Sequence, residues 1–203
     1  MYFWLGVSEL ITKRLKLLTR DELETSLGFT FERKNLLITF HPATLDHLGG
    51  ELQMKELLSA LEGLRDTRLI FTLPNADTGR RAIIKQLESF IAKHPVNASI
   101  HSSLGYLRYL SCVAQVDGVV GNLSGLIEVP SFNKGTINIG DRQKGRLVSS
   151  SVINCEPVKH DICDALSKLY SDEFQKKLGC TINPYGSGGA SQKVVEILKS
   201  VPL

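Results

Sequence analysis

The sequence predicts an α/β domain in which a parallel β-sheet is covered by helices on both faces. Two observations carry this prediction. From residue 35 onward, short apolar runs alternate with helical stretches of about ten or more residues, the pattern of successive βαβ units. The runs are apolar enough to be strands buried beneath helices, as in a parallel sheet. Composition agrees: of 203 residues, 42% are hydrophobic and 22% charged, which excludes a disordered, collagenous or coiled-coil chain. The length suits one large domain, or one domain with a small appendage.

The elements follow in order. Thr19 with Glu22 three positions later forms a capping box, so a helix is expected to begin there. It should run through Leu27 and stop at Gly28. Residues 1–30 as a whole read as helical and amphipathic. Strands are expected at residues 35–40, 68–73, 98–101, 118–121 and 136–139. Helical stretches are expected around 52–64, 80–93 and 104–113, with a turn and a short helix after Ser124. Residues 161–170, 171–178 and 190–199 read as closing helices. The division expected is a helical segment over 1–34 and an α/β domain over 35–203.

Charge and cysteine content narrow the function classes. Lysine and arginine number 24 against 21 acids, a net charge of +3, and the bases are scattered among acids. That leaves no electrostatic footprint for nucleic acid or a membrane surface. Cys112, Cys155, Cys163 and Cys180 show no Cys-x-x-Cys spacing and no paired histidines, so neither a zinc site nor a disulfide framework is expected. Reduced thiols in a cytoplasmic protein are the simplest expectation. Residues 1–7 are apolar but short and lack a basic leader, so neither a signal peptide nor a membrane span is expected. No metal and no cofactor are expected.

In open parallel sheets, ligands bind beyond the carboxyl ends of the strands, where the strand order reverses. The residues at those ends are polar and specific here: His41, Pro74 and Asn75, Ser102 and Ser103, Asn122 and Ser124, Asp141 and Arg142. A helix opening at Ser124 and Gly125 would present backbone N–H groups to an anion, although such a pair also serves as a plain N-cap. Glu128, a turn into that helix, suits the sugar hydroxyls of a nucleotide, or is a solvated glutamate. Arg142 suits a bidentate clamp on a diphosphate, or a surface ion pair. His41 can bond a phosphate oxygen or move a proton near neutral pH, or simply cap its strand. His47, His94 and His160 are expected on solvated surface, and His101 reads either way. Together these residues describe half of a nucleotide-diphosphate site on a doubly wound domain.

Six segments in register resemble a known family. They are Phe40-His41-Pro42-Ala43-Thr44, Leu73-Pro74-Asn75-Ala76-Asp77, Leu104-Gly105-Tyr106-Leu107, residues 121–130, residues 138–146, and Asn183-Pro184-Tyr185-Gly186-Ser187-Gly188-Gly189-Ala190. The series is similar to the C-terminal domain of the UDP-N-acetylglucosamine 2-epimerase family, specifically its hydrolysing branch in sialic acid and polysialic acid capsule biosynthesis. The resemblance implies a Rossmann-like domain forming the C-terminal half of a two-domain glycosyltransferase-B fold, with substrate in the cleft between the halves. It implies UDP and a UDP-sugar as ligands, and a homo-oligomer when full-length. Hydrolysing members remove the C2 proton, cleave the anomeric C–O bond to release UDP, and add water to the glycal, giving N-acetylmannosamine. By position, His41 matches the histidine implicated in catalysis. Asn75 and Glu128 match UDP-contacting positions, the glutamate at the ribose. Leu104 and Tyr106 match the segment lining the uracil, and Ser124, with Gly125 beside it, and Arg142 match the diphosphate binders.

Two departures stand out. The family's turn usually reads Gly-Asn-Ser-Ser-x-Gly, whereas this chain has Gly121-Asn122-Leu123-Ser124-Gly125, one residue and one hydroxyl fewer. The second is the N-terminal half, which should supply the acids that handle the C2 proton. Nothing before residue 35 reads as such a half, so the chain is expected to be the C-terminal domain of a longer enzyme and silent alone. Two alternatives stand beside this reading. One is the same chemistry on UDP-2,4-diacetamido-2,4,6-trideoxyglucose, of the legionaminic acid pathway. The other is the nucleotide-sugar-binding domain of a glycosyltransferase.

Overall fold

The computed structural model describes residues 15–41, 49–73, 80–122, 124–186 and 190–201. Among the described residues, β1 (Lys34–Thr39), β2 (Thr67–Thr72), β3 (Ala98–His101), β4 (Gly118–Gly121), β5 (Gly135–Ile139) and β6 (Val152–Cys155) form one sheet. Its order is β3-β2-β1-β4-β5-β6, and every pairing is parallel. The order reverses between β1 and β4, so the crossovers leave that point in opposite directions and open a crevice. β6 was not expected from the sequence. It is a short edge strand in which only Ile153 is fully buried, too little apolar content to register as a strand.

Alternation along each strand assigns the two faces. Leu36 and Ile38 of β1, Leu69 and Phe71 of β2, and Val120 of β4 share one core. Over it pack α2 (Gly49–Leu61), α3 (Arg80–Lys93) and α5 (Lys159–Leu169), through Leu57, Leu61, Ile83, Leu87, Ile162 and Leu166. Leu37, Ile70 and Val119 point the other way, into a core with Leu23 of α1 (Arg20–Leu27) and Cys112 and Val113 of α4 (Gly105–Gln115). Period-2 alternation in strands that are apolar on both sides is what a sheet sandwiched by helices requires. The chain closes with α6 (Asp172–Leu178) and α7 (Ala190–Ser200), close to the bounds expected. No helix among the described residues is long and apolar enough to cross a membrane.

The expected capping box is present. Thr19 accepts from the Glu22 amide, Glu22 accepts from the Thr19 amide, and Gly28 ends α1 in the left-handed region at φ 69°. Residues 1–14, over which the helical reading extended, lie outside the described residues. Residues 15–33 pack against the sheet rather than standing apart. The buried Arg68 side chain donates to the carbonyls of Thr30 and Val96, and Leu23 and Phe31 sit in the second core. One histidine differs from expectation. His94 is half-buried, its ring 4.5 Å from that of Phe90, and its Nε2 is enclosed without a hydrogen-bond partner. The Phe90 ring of α3 lies against it on one side. His160 is exposed as expected, beside Asp161, and His47 lies outside the described residues.

Where β4 ends, the Gly121 backbone faces Thr39 of β1 with no room for a side chain. Thr39 is in register with Gly121, and a Cβ on Gly121 would lie 2.6 Å from the carbonyl carbon of Thr39 and closer still to its oxygen. No side-chain rotation relieves a clash with backbone. Gly121→Ala should therefore destabilise the domain by about 1–3 kcal/mol, the usual cost of overpacking. A urea midpoint within error of the parent would show that the two strands separate without cost.

Candidate nucleotide site at the strand reversal

The site is built outward from the ends of β1 and β4. His41 follows β1 and is only 6% exposed, more enclosed than a side chain facing an open cleft would be. Its backbone is held from two elements. The His41 N–H donates to Asn122 Oδ1 at 2.9 Å, and Asn122 Nδ2 donates to the His41 carbonyl at 2.7 Å. Arg142, in the 3-10 turn Asp141–Gln143 after β5, donates from Nη1 to the same carbonyl at 3.0 Å. Its neighbour Gln143 donates from Nε2 to the Asn122 carbonyl at 2.7 Å. The ends of β1, β4 and β5 are thus tied into one network.

Two cavities flank this network. One, of about 410 Å³, lies over β1, β2 and β3 and is lined by His41, Leu73, Ser103, Leu104, Tyr106 and Tyr109 among others. Leu104 is buried and Tyr106 is 41% exposed, so the pair offers an apolar floor and an accessible ring. The other, of about 460 Å³, lies over β5 and β6 and is lined by Asn138, Gly140, Gln143, Arg146, Asn154 and Cys155 among others. Asn138 Nδ2 donates to Asn154 Oδ1 there at 2.8 Å, and burial with nearby carboxylates pushes the Cys155 thiol up to about 12.

Glu128 reaches the first cavity through Tyr109, whose hydroxyl donates to Glu128 Oε2 at 3.3 Å. It also acts on Tyr106: desolvation first, and then the Glu128 charge, raise the Tyr106 phenol above its ordinary value. Gly125 is buried, its carbonyl accepting from Thr136 Oγ1 at 3.0 Å. The helix expected to open at Ser124 is not an α-helix. It is a single 3-10 turn, Ser124–Leu126, followed by a second, Val129–Phe132. Gly125 and Pro130 explain this, one adding backbone freedom and the other removing an N–H from any continuous helix. Glu128 consequently sits between two turns, not inside a helix, and no helix dipole faces an anion here. The Ser124 side chain and Asn75 lie outside the described residues.

The structure therefore brings together His41, Leu104, Tyr106, Glu128, Gly125 and Arg142 around the reversal. It adds groups to which sequence reasoning assigned no role. Asn122 and Gln143 complete the network, and Asn183 donates from Nδ2 to the Ile127 carbonyl at 2.8 Å and to Ser131 Oγ at 2.7 Å. That last contact straps the loop before α7 onto the two 3-10 turns. Asn122 and Asn183 both sit in segments noted for their motif, but residue type alone gives no sign of which backbone they bond.

A doubly wound sheet with polar groups and two cavities at its reversal is the arrangement in which open α/β folds bind their ligands. The chain belongs to the UDP-N-acetylglucosamine 2-epimerase family, whose model matches residues 7–199. It is 36% identical over 200 residues to the GDP/UDP-N,N'-diacetylbacillosamine 2-epimerase (hydrolyzing) of Campylobacter jejuni, covering 98% of this chain and 52% of that protein. It is 36% identical over 187 residues to polysialic acid biosynthesis protein P7 of Escherichia coli, covering 91% and 47%. The chain thus spans about half the length of the curated relatives it matches. Among solved structures, the UDP-GlcNAc 2-epimerase of Neisseria meningitidis bound to UDP-GlcNAc superposes with TM-score 0.68 at 20% identity, covering 95% of this chain and 51% of that one. The C-terminal domain of a group 1 glycosyl transferase from Francisella tularensis superposes with TM-score 0.56 at 13% identity, covering 97% and 100%. These likenesses establish the fold as one shared by epimerases and glycosyltransferases.

The coupling between Glu128 and Tyr106 is testable. Removing the carboxylate charge stabilises the phenolate, so Glu128→Gln should move the Tyr106 titration down toward its ordinary value. Ultraviolet titration read against a Tyr106→Phe control reports it. An unmoved titration would place Glu128 away from the cavity.

Proposed function

We propose that this chain is the UDP-binding C-terminal half of a hydrolysing UDP-sugar 2-epimerase. The single observation that carries the reading is the meeting of His41 and Arg142 at the strand reversal, with the cavity of Leu104 and Tyr106 alongside. In this proposal residues 35–203 form the UDP-binding domain, with 1–34 as its leading segment. Uracil lies against Leu104 and Tyr106, the ribose hydroxyls meet Glu128, and Asn75, Ser124, Gly125 and Arg142 hold the diphosphate. The names of the relatives, both hydrolysing and polysialic, support the class of reaction.

The chemistry assigned to His41 follows from where it stands. Cleaving the anomeric C–O bond leaves negative charge on the departing diphosphate oxygen. An imidazole fixed beside that oxygen stabilises it or donates a proton to it. Arg142 spreads the same charge through a planar fork that lysine lacks. Abstraction of the C2 proton belongs to an N-terminal half, and the active species is a cytoplasmic homo-oligomer of two-domain subunits. The free cysteines suit that compartment.

The sugar is UDP-N-acetylglucosamine in the leading form of the proposal, with N-acetylmannosamine and UDP as products. A second reading has UDP-N,N'-diacetylbacillosamine as substrate, and the Campylobacter relative's name favours it. Incubating the full-length enzyme with each nucleotide sugar, and following UDP release, separates the two. His41→Ala in that enzyme should lower turnover roughly 10²–10⁴-fold, the usual contribution of one positioned acid–base group. Release of UDP from neither sugar, or normal turnover by the His41→Ala enzyme, would overturn the proposal.

A further inference from the structure

The β1–β4 ladder ends at Thr39 and Gly121. Beyond it the two chains must part, since their crossovers run in opposite directions. His41 lies on the parting segment, where its backbone N–H and C=O would lose their strand partners. Asn122 supplies them. A carboxamide carries one acceptor and a donor in the arrangement of a peptide group, and the Asn122 side chain pairs with both His41 backbone groups, at 2.9 and 2.7 Å. The side chain continues the ladder after the backbone has turned away.

We propose that Asn122 is the positioning residue for His41, a role that rests on the catalytic reading of His41 given above. Three observations converge on it. Asn122 is 3% exposed, so solvent does not compete for its amide. Its own carbonyl is fixed by Gln143 Nε2 at 2.7 Å, which keeps its backbone from rotating the side chain out. Gly121 before it leaves the end of β4 paired to β1 beside the clasp, where a Cβ would strike the Thr39 carbonyl. Arg142 shares the His41 carbonyl at 3.0 Å, so the group that would meet the diphosphate and the one that would assist its departure are held in one frame. Aspartate cannot replace asparagine. It would still accept from the His41 N–H, but it would set a second carboxylate oxygen against the His41 carbonyl, with no hydrogen to donate.

A cycle of variants in the full-length enzyme tests this. Misplacing a catalytic group by about 1 Å costs on the order of 10²-fold in rate. Asn122→Ala and Asn122→Asp should each lower the single-turnover rate at saturating nucleotide sugar about 10- to 100-fold, with half-saturation changed less than about 3-fold. In a His41→Ala background the same substitutions should cost less than about 2-fold, because a residue acting through His41 has nothing left to position. Thermal unfolding of each variant confirms that folded protein is compared, and the near-isosteric Asn122→Asp decides the matter if Asn122→Ala does not fold. An equal loss with and without His41, or an unchanged rate in a folded Asn122→Asp enzyme, would overturn the inference. If His41→Ala alone leaves the rate intact, the catalytic reading of His41 fails first and this inference with it. If His41→Ala is slow while Asn122→Asp is normal, only the positioning role fails.

Discussion

The side-chain-free contact of Gly121 with the Thr39 carbonyl at the strand reversal is the constraint on which the site depends. Beside that contact, Asn122 reaches the backbone of His41. From there the network extends to β5 through Arg142 and Gln143. A reversal in strand order always opens a crevice, but an open crevice does not by itself hold a side chain in place. Here three strand ends are cross-linked by hydrogen bonds. Those among the buried His41, Asn122 and Gln143 are shielded from water, so each bond counts for more, and the exposed Arg142 joins them at the His41 carbonyl.

Much of the fold was legible in the sequence because it follows from burial on both faces. Strands such as 36–38 and 69–71 are apolar without interruption, and only a sheet under two helical layers gives every one of those side chains a core. The capping box at Thr19 and Glu22 was equally legible, since it is a local bond between neighbours. What escaped was β6, whose place is determined by pairing with β5 and not by its own composition. His94 escaped for a related reason: its enclosure comes from Phe90 and the packing of α3, which period and polarity do not reveal.

The candidate site divides along the same line. Residue type and position singled out His41 and Arg142 at strand ends and Glu128 in the segment after β4, each with a plain structural role as the alternative. Asn122 and Gln143 were visible as polar residues, yet their partners lie 81 and 21 positions away in the chain. The shortened turn Gly121–Gly125 reads differently once folded. It leads into a 3-10 turn seated under Thr136, so any anion there meets individual N–H groups, without the summed dipole of a long helix.

The central claim is that a nucleotide diphosphate seats at this reversal, on the frame that holds His41. Titrating UDP into the 15N-labelled 203-residue chain and following backbone amides tests it most directly. A dissociation constant of about 0.1–1 mM is expected for half a cleft making a few polar contacts. Shifts should concentrate at the amides of His41, Gly105, Tyr106, Gly125 and Arg142, while α5 amides such as Leu166, packed beneath the sheet, stay unmoved. Saturable shifts confined to residues away from the β1–β4 reversal, or no shift at millimolar UDP, would contradict it.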